Sequence, residues 1–162
     1  MLFSTRAEYG VRLMVELGRH AGERPVALAT VAESEDLPLS YLEHLVAKLR
    51  KEGLVESQRG AHGGYRLGRP ADQIDMLEVV QALEGAIAPM ECFHLDPEGK
   101  VSCSHETDGD EACATKLLCT RVQGGVTKAL SGTTLADLVE FAGGPTEDLK
   151  GTSQQRAVAG AA

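Results

Sequence analysis

The stretch LPLSYLEHLVAKLRKEGLVESQRGAHGGYRLGRP, residues 37–70, decides the fold. Leu42, Leu45, Val46 and Leu49 recur at i, i+3, i+4 and i+7, which gathers one apolar stripe on a helix. The opposite face shows Tyr41, His44, Lys48 and Lys51. Ser40 and Glu43 have capping-box spacing, so this helix is predicted to start at Ser40. Gly53 suits the left-handed residue that follows a helix. Leu54–Arg59 and Tyr65–Leu67 then flank the glycine-rich tip Gly60-Ala61-His62-Gly63-Gly64, the pattern of a β-hairpin.

Two helices are predicted before this stretch. Thr5 and Glu8 form a T-x-x-E capping box for a helix running to about His20, with Ala7, Val11, Met14 and Val15 as its stripe. Ala27 to about Glu35 reads as a short second helix with Leu28, Val31 and Ala32 inward. The connection Asp36-Leu37-Pro38-Leu39 is tight. After the hairpin, Asp75 and Glu78 cap a fourth helix through about Leu83, stopped by Gly85. Residues 86–113 look irregular and acidic and hold three of the four cysteines. A helix resumes near Ala114, where Gly124-Gly125 is expected to weaken or bend it. A short helix follows over Thr134–Ala142, and the tail 143–162 has the composition of a disordered segment.

The class that emerges is mainly α with a small β-hairpin wing. It is a winged helix-turn-helix over 1–85, a cysteine-bearing loop over 86–113, and a long helix with a short terminal one over 114–142. A hydrophobic content of 43% fits a chain that builds a core. No apolar run approaches the roughly 20 residues needed to span a bilayer. The start lacks the pattern of a secretory signal, because Arg6, Glu8, Arg12 and Glu16 interrupt it. A cytoplasmic location is the expectation, with no membrane partner.

The net charge of −8 does not suit nucleic acid until it is divided. Residues 1–70 hold ten Lys/Arg against nine Asp/Glu, whereas 71–162 hold six against fifteen. Within 48–69, six basic residues face Glu56 and Glu52 alone. Phosphate contact needs local positive charge, not a basic total. Charge alone leaves a solvated surface as the simpler reading, and three helices with a hairpin also build protein-interaction domains. The order of elements adds a reason for DNA. A third helix held outside the bundle by a short connection can enter a major groove about 12 Å wide. Ser40, Tyr41, Glu43, His44 and Lys48 would then face bases or phosphates, and Arg59, Gly60, His62 and Arg66 would lie on the wing.

Cys92, Cys103, Cys113 and Cys119 are separated by ten, nine and five residues. With no C-x-x-C, a zinc finger or ribbon is poorly supported. Spacing alone leaves unliganded thiols and a metal site open. No G-x-G-x-x-G or G-x-x-x-x-G-K-[ST] marks a nucleotide enzyme, so the chain is not expected to be one. A redox or electron-transfer protein using the cysteines is the alternative from another class.

TRAEYGVRLMVEL at 5–17, the 37–70 stretch, IDMLEVVQALEG at 74–85 and TTLADLV at 133–139 together resemble the Rrf-two family of small bacterial regulators, of the IscR and NsrR type. The resemblance spans about residues 1–142. It implies a homodimer on a palindromic promoter operator in double-stranded DNA, with the helix after the cysteines pairing with its partner. Leu118, Val122, Val126 and Leu130 are the expected seam. It further implies an iron–sulfur cluster, 2Fe–2S or 4Fe–4S, on Cys92, Cys103 and Cys113, sensing iron, redox or nitric oxide status. Some relatives carry a histidine ligand where this chain has Lys116. Cys119, Glu8 (reaching from the partner subunit), and then His94 and His105 are the candidates for a fourth ligand. A cluster-free regulator sensing by thiol chemistry, or through a metabolite-linked partner, is the alternative within the family.

Overall fold

The computed structural model describes residues 3–22, 24–60, 62–88, 93–95, 101–103 and 114–143, with backbone alone for 93–95 and 101–103. The elements are α1 (Thr5–Arg19), α2 (Leu28–Glu35), α3 (Leu39–Lys51), β1 (Val55–Gln58), β2 (Gly64–Leu67), a 3-10 turn (Ala71–Gln73), α4 (Met76–Glu84), β3 (Phe93–Leu95), β4 (Val101–Cys103), α5 (Ala114–Ser131) and α6 (Leu135–Gly143). The architecture is the expected one: mainly helical, with one antiparallel hairpin directly after the third helix.

The core joins Leu13, Met14 and Leu17 of α1 to Val31 of α2, and Leu42, Leu45 and Leu49 of α3 to Leu83 of α4. The α3 positions and Val31 are those the helical periodicity selects. In α1, Ala7 and Met14 are buried as expected, but Leu13 and Leu17 take the core positions expected of Val11 and Val15, which stay half-buried. Leu135 of α6 is fully buried in the same core. Two backbone bonds seat it there: Met76 N–H to the Thr133 carbonyl at 2.9 Å, and Leu135 N–H to the Ile74 carbonyl at 2.8 Å. Glu16, only 6% exposed, is held by Arg19 at 3.0 Å and by the Ser34 hydroxyl at 3.3 Å, which ties α1 to α2.

The hairpin β1–β2 pairs Val55 with Leu67, Glu56 with Arg66, Ser57 with Tyr65 and Gln58 with Gly64. Val26, in the link between α1 and α2, exchanges two backbone bonds with Tyr65 at 2.9 and 2.8 Å and so fixes the wing to the helical body. A Cβ on Gly64 would lie 2.4 Å from the Val26 carbonyl oxygen, so this approach requires glycine.

Local signals and structure agree at several ends. Asp75 and Glu78 form the expected capping box of α4. Gly85, at φ 86, and Gly53, at φ 72, stand where their helices stop. Three expectations need correction: the cap of α1, the start of α3 and the irregular stretch after α4. The start of α1 is capped by Ser4, whose hydroxyl accepts from Arg6 N–H, and by Glu84, not by a Thr5–Glu8 box. Helix α3 starts at Leu39 with Pro38 as N-cap and no side-chain cap, so Ser40 lies one residue inside it and cannot cap. Helix α5 includes Gly124-Gly125, since glycine, unlike proline, keeps its N–H and leaves the ladder intact. Part of the stretch expected to be irregular forms a second hairpin, β3–β4, pairing Phe93 with Cys103 and Leu95 with Val101.

Candidate nucleic-acid interface

The amino end of α3 is presented by a sharp turn. Asp36 adopts a left-handed conformation at φ 52, and Pro38 at φ −63 leads into the helix. The N–H groups of Tyr41 and Leu42 bond the Pro38 carbonyl, both at 3.1 Å. Ser40, Glu43 and His44 are exposed. Tyr41 is half-buried, its ring edge-on to Tyr9 at 5.7 Å. Below this polar face, Leu42, Leu45, Val46 and Leu49 lock the helix to the body. An uncapped helix start on a rigid seat offers N–H donors and a positive dipole end to an anion.

Arg59, Gly60 and His62 are exposed at the tip of the wing, with Ala61 outside the described residues. Arg66 is exposed on β2, and its guanidinium pairs with Glu56 across the hairpin at 2.9 Å. Lys48 behaves differently. It lies two turns along α3, and its ammonium donates to the Leu83 carbonyl at the end of α4, at 2.9 Å.

The opposite ends of α1 and α4 meet in one junction. The Glu84 carboxylate accepts from the Ser4 and Ala7 backbone N–H groups, both at 3.2 Å, and from the Ser4 hydroxyl. Arg6 donates to the Leu83 carbonyl at 3.3 Å. Partial burial pushes the Glu84 carboxyl up. The hydrogen bonds from Ser4 and Ala7 and the charge of Arg6 outweigh it and hold the group below the usual carboxylate value. Sequence reading missed this junction, because its partners lie 77 to 80 residues apart and carry no shared local pattern.

Of the candidate ligands, Cys92, Cys113 and His105 lie outside the described residues. Cys103 ends β4, and His94 is central in β3. Cys119 is buried on α5, 1% exposed. Glu8 is exposed on α1 and borders an open apolar groove of about 640 Å3. Val11, Val80, Leu130 and Leu138 also line that groove. Among the described residues no three His, Cys, Asp or Glu side chains gather as a metal site would require. Along α5, Leu118 is 54% exposed and Val122 39%, Val126 is half-buried, and Leu130 packs on the core. No helix among the described residues is long and apolar enough to cross a membrane.

Comparison with known proteins agrees with this geometry. The Rrf2 family model, described as an iron-dependent transcriptional regulator, matches residues 3–141. The HTH-type transcriptional regulator CymR of Bacillus subtilis is 37% identical over 147 residues, covering 91% of this chain and 96% of that protein. The HTH-type transcriptional regulator IscR of Erwinia tasmaniensis is 37% identical over 139 residues, covering 86% and 79%. Among solved structures, CymR, the global cysteine regulator of B. subtilis, superposes with a TM-score of 0.70 at 37% identity, covering 87% of this chain and 98% of that one. IscR of T. potens also gives 0.70, at 34% identity and 88% of each chain. These relatives are regulators, not enzymes. An exposed, uncapped third helix beside a wing, on a sequence that the family model matches over residues 3–141, identifies the chain as a member of the Rrf2 family of DNA-binding transcription regulators.

Proposed function

We propose that this regulator binds a palindromic operator as a homodimer and changes its affinity with the state of an iron–sulfur cluster. The observation that carries the DNA half is the open amino end of α3, with Ser40, Glu43 and His44 exposed beside it. Phosphates would satisfy the first-turn N–H groups, while these side chains and Tyr41 meet base edges. Arg59, Gly60, His62 and Arg66 would bring the wing to the neighbouring backbone. Pairing through α5 is supported by the exposed apolar residues Leu118 and Val122, which a monomer would leave in water. Val126 and Leu130 continue that seam toward the core.

Cys92, Cys103 and Cys113 would hold the cluster, because thiolates are the donors that iron–sulfur centres require. Bound there, the cluster would supply a centre whose charge and integrity follow iron and oxidants. Glu8 gains weight as a fourth ligand from the partner subunit. Ser4 and Glu84 do the capping that Glu8 was expected to do, and its carboxylate stays exposed. Cys119, buried on α5, is the other candidate.

Anaerobic purification tests this, with iron, sulfide and visible absorbance measured before duplex binding of the loaded and stripped forms. The expected difference in affinity is roughly 5- to 150-fold, the usual range of a coupled switch. Equal affinities with the cluster verified would remove sensing and leave the regulator. A thiol-sensing reading has its own support, since a solved relative is Staphylococcus aureus CymR in an oxidized form, 35% identical with a TM-score of 0.66. Iron-free protein whose affinity shifts on oxidation and returns with a thiol reductant would establish that reading instead.

A further inference from the structure

Lys48 stands on the DNA-reading helix, and its charge would ordinarily mark a phosphate contact. Its ammonium instead lies 2.9 Å from the Leu83 carbonyl oxygen. That oxygen belongs to the last turn of α4, where carbonyls lack helical partners and carry the negative end of the dipole. Arg6 donates to the same oxygen at 3.3 Å. The next residue, Glu84, gathers the start of α1 through Ser4 and Ala7. Gly85 then turns the chain at φ 86, and Ile87, 7% exposed, anchors it again. Leu83 and Glu84 therefore receive α1 and α3 at the point where the chain leaves the winged module for the cysteines.

We infer that Lys48 is a positioning residue, setting α3 against the exit of α4 toward the cysteine segment through the Leu83 carbonyl. This rests on α3 being the helix that reads DNA. A shift of the chain at Gly85 reaches α3 through this contact, and a shift of α3 on DNA reaches Gly85 by the same route. A phosphate-binding lysine would couple nothing of the kind.

The test uses the full-length protein and a duplex that the wild type has enriched from a random-sequence pool. Lys48→Met keeps the alkyl stem and removes the charge. The inference expects about a three- to ten-fold weaker complex, a salt dependence parallel to wild type, and faster amide exchange at Gly85 and Ala86. Lys48→Arg, which can still donate to the carbonyl, restores affinity. A lysine on phosphate gives another pattern: the slope of log K against log salt falls by about 0.9 for each Lys48 removed, with exchange at Gly85 unchanged. That result, or no change at all, overturns the inference. If Lys48→Met fails to fold, Arg6→Met carries the test from outside the DNA-reading helix: faster exchange at Gly85 with weaker binding at constant slope supports the inference, and unchanged behaviour overturns it. If the wild type enriches no duplex, the DNA-reading assignment has failed, and the inference falls with it.

Discussion

Helices α1 and α3 begin in opposite ways. The first turn of α1 is closed by its own Ser4 and by Glu84 from a distant helix, which accepts three donors there. The first turn of α3 has proline as N-cap and no side-chain cap, although Ser40 and Glu43 stand within the first five residues of the helix. Each helix has donors to satisfy. Where the body must hold together, the chain satisfies them from within. At α3, the helix proposed to meet DNA, it leaves them open to a ligand. An uncapped start costs stability of about 1 kcal/mol, a cost that a phosphate bound there would offset.

The largest expected effect breaks the closed end. Leu83 is fully buried, and its side chain fills the space that a Cβ on Gly10 would need. Leu83→Ala should destabilise by about 2–5 kcal/mol, read as a lowered denaturant midpoint. It should also loosen the first turn of α1. Glu84→Ala removes the distant cap alone and should cost roughly 1–2 kcal/mol.

The same carboxyl fixes a pH dependence. Its folded value lies below the ordinary 4.5, so the charged form is favoured by folding. That stability is fully present above the unfolded value and is lost as pH falls through the folded one. Chemical denaturation of Glu84→Gln from pH 6 downward should therefore show less acid destabilisation than wild type.

Closing the open end sharpens the contrast. Pro38→Asp supplies a capping carboxylate to α3 and gives up the proline's restriction of the unfolded chain. Stability should stay within about 1 kcal/mol of wild type. Duplex affinity should drop more than about ten-fold, since one unit of affinity free energy near 1.4 kcal/mol is tenfold and a negative charge now stands where phosphate is needed. The smallest effect is on the wing. Glu56 and Arg66 are both more than half exposed, 52% and 59%. Glu56→Gln should change stability by less than about 0.5 kcal/mol, and it should tighten DNA binding at low salt by releasing Arg66.

What the sequence disclosed follows the same division. The capping box Asp75–Glu78, the stops at Gly53 and Gly85, the stripe Leu42-Leu45-Val46-Leu49 and the hairpin around Gly60–Gly64 are all local patterns, and all were legible. Ser40–Glu43 and Thr5–Glu8 carried equally good local patterns and did not cap, because chain context placed the N-cap one residue before Thr5, at Ser4, and two residues before Ser40, at Pro38. The Val26–Tyr65 bridge, the Glu84 cap and the Lys48–Leu83 contact join residues far apart in the chain, and no period or motif announces them. Only the family resemblance makes the cysteines candidates for a cluster. Their spacing has no short chelating pair, and nearest neighbours are separated by five residues or more.

Amide hydrogen exchange on the full-length protein, with and without an enriched duplex, bears most directly on the two helix starts. The amides of Leu39 and Ser40 should slow at least about ten-fold when DNA binds, while those of Ser4, Arg6 and Ala7, already bonded within the protein, should keep their rates. Protection confined to the start of α1, or none at α3 in a verified complex, would contradict the assignment of α3 as the reading helix.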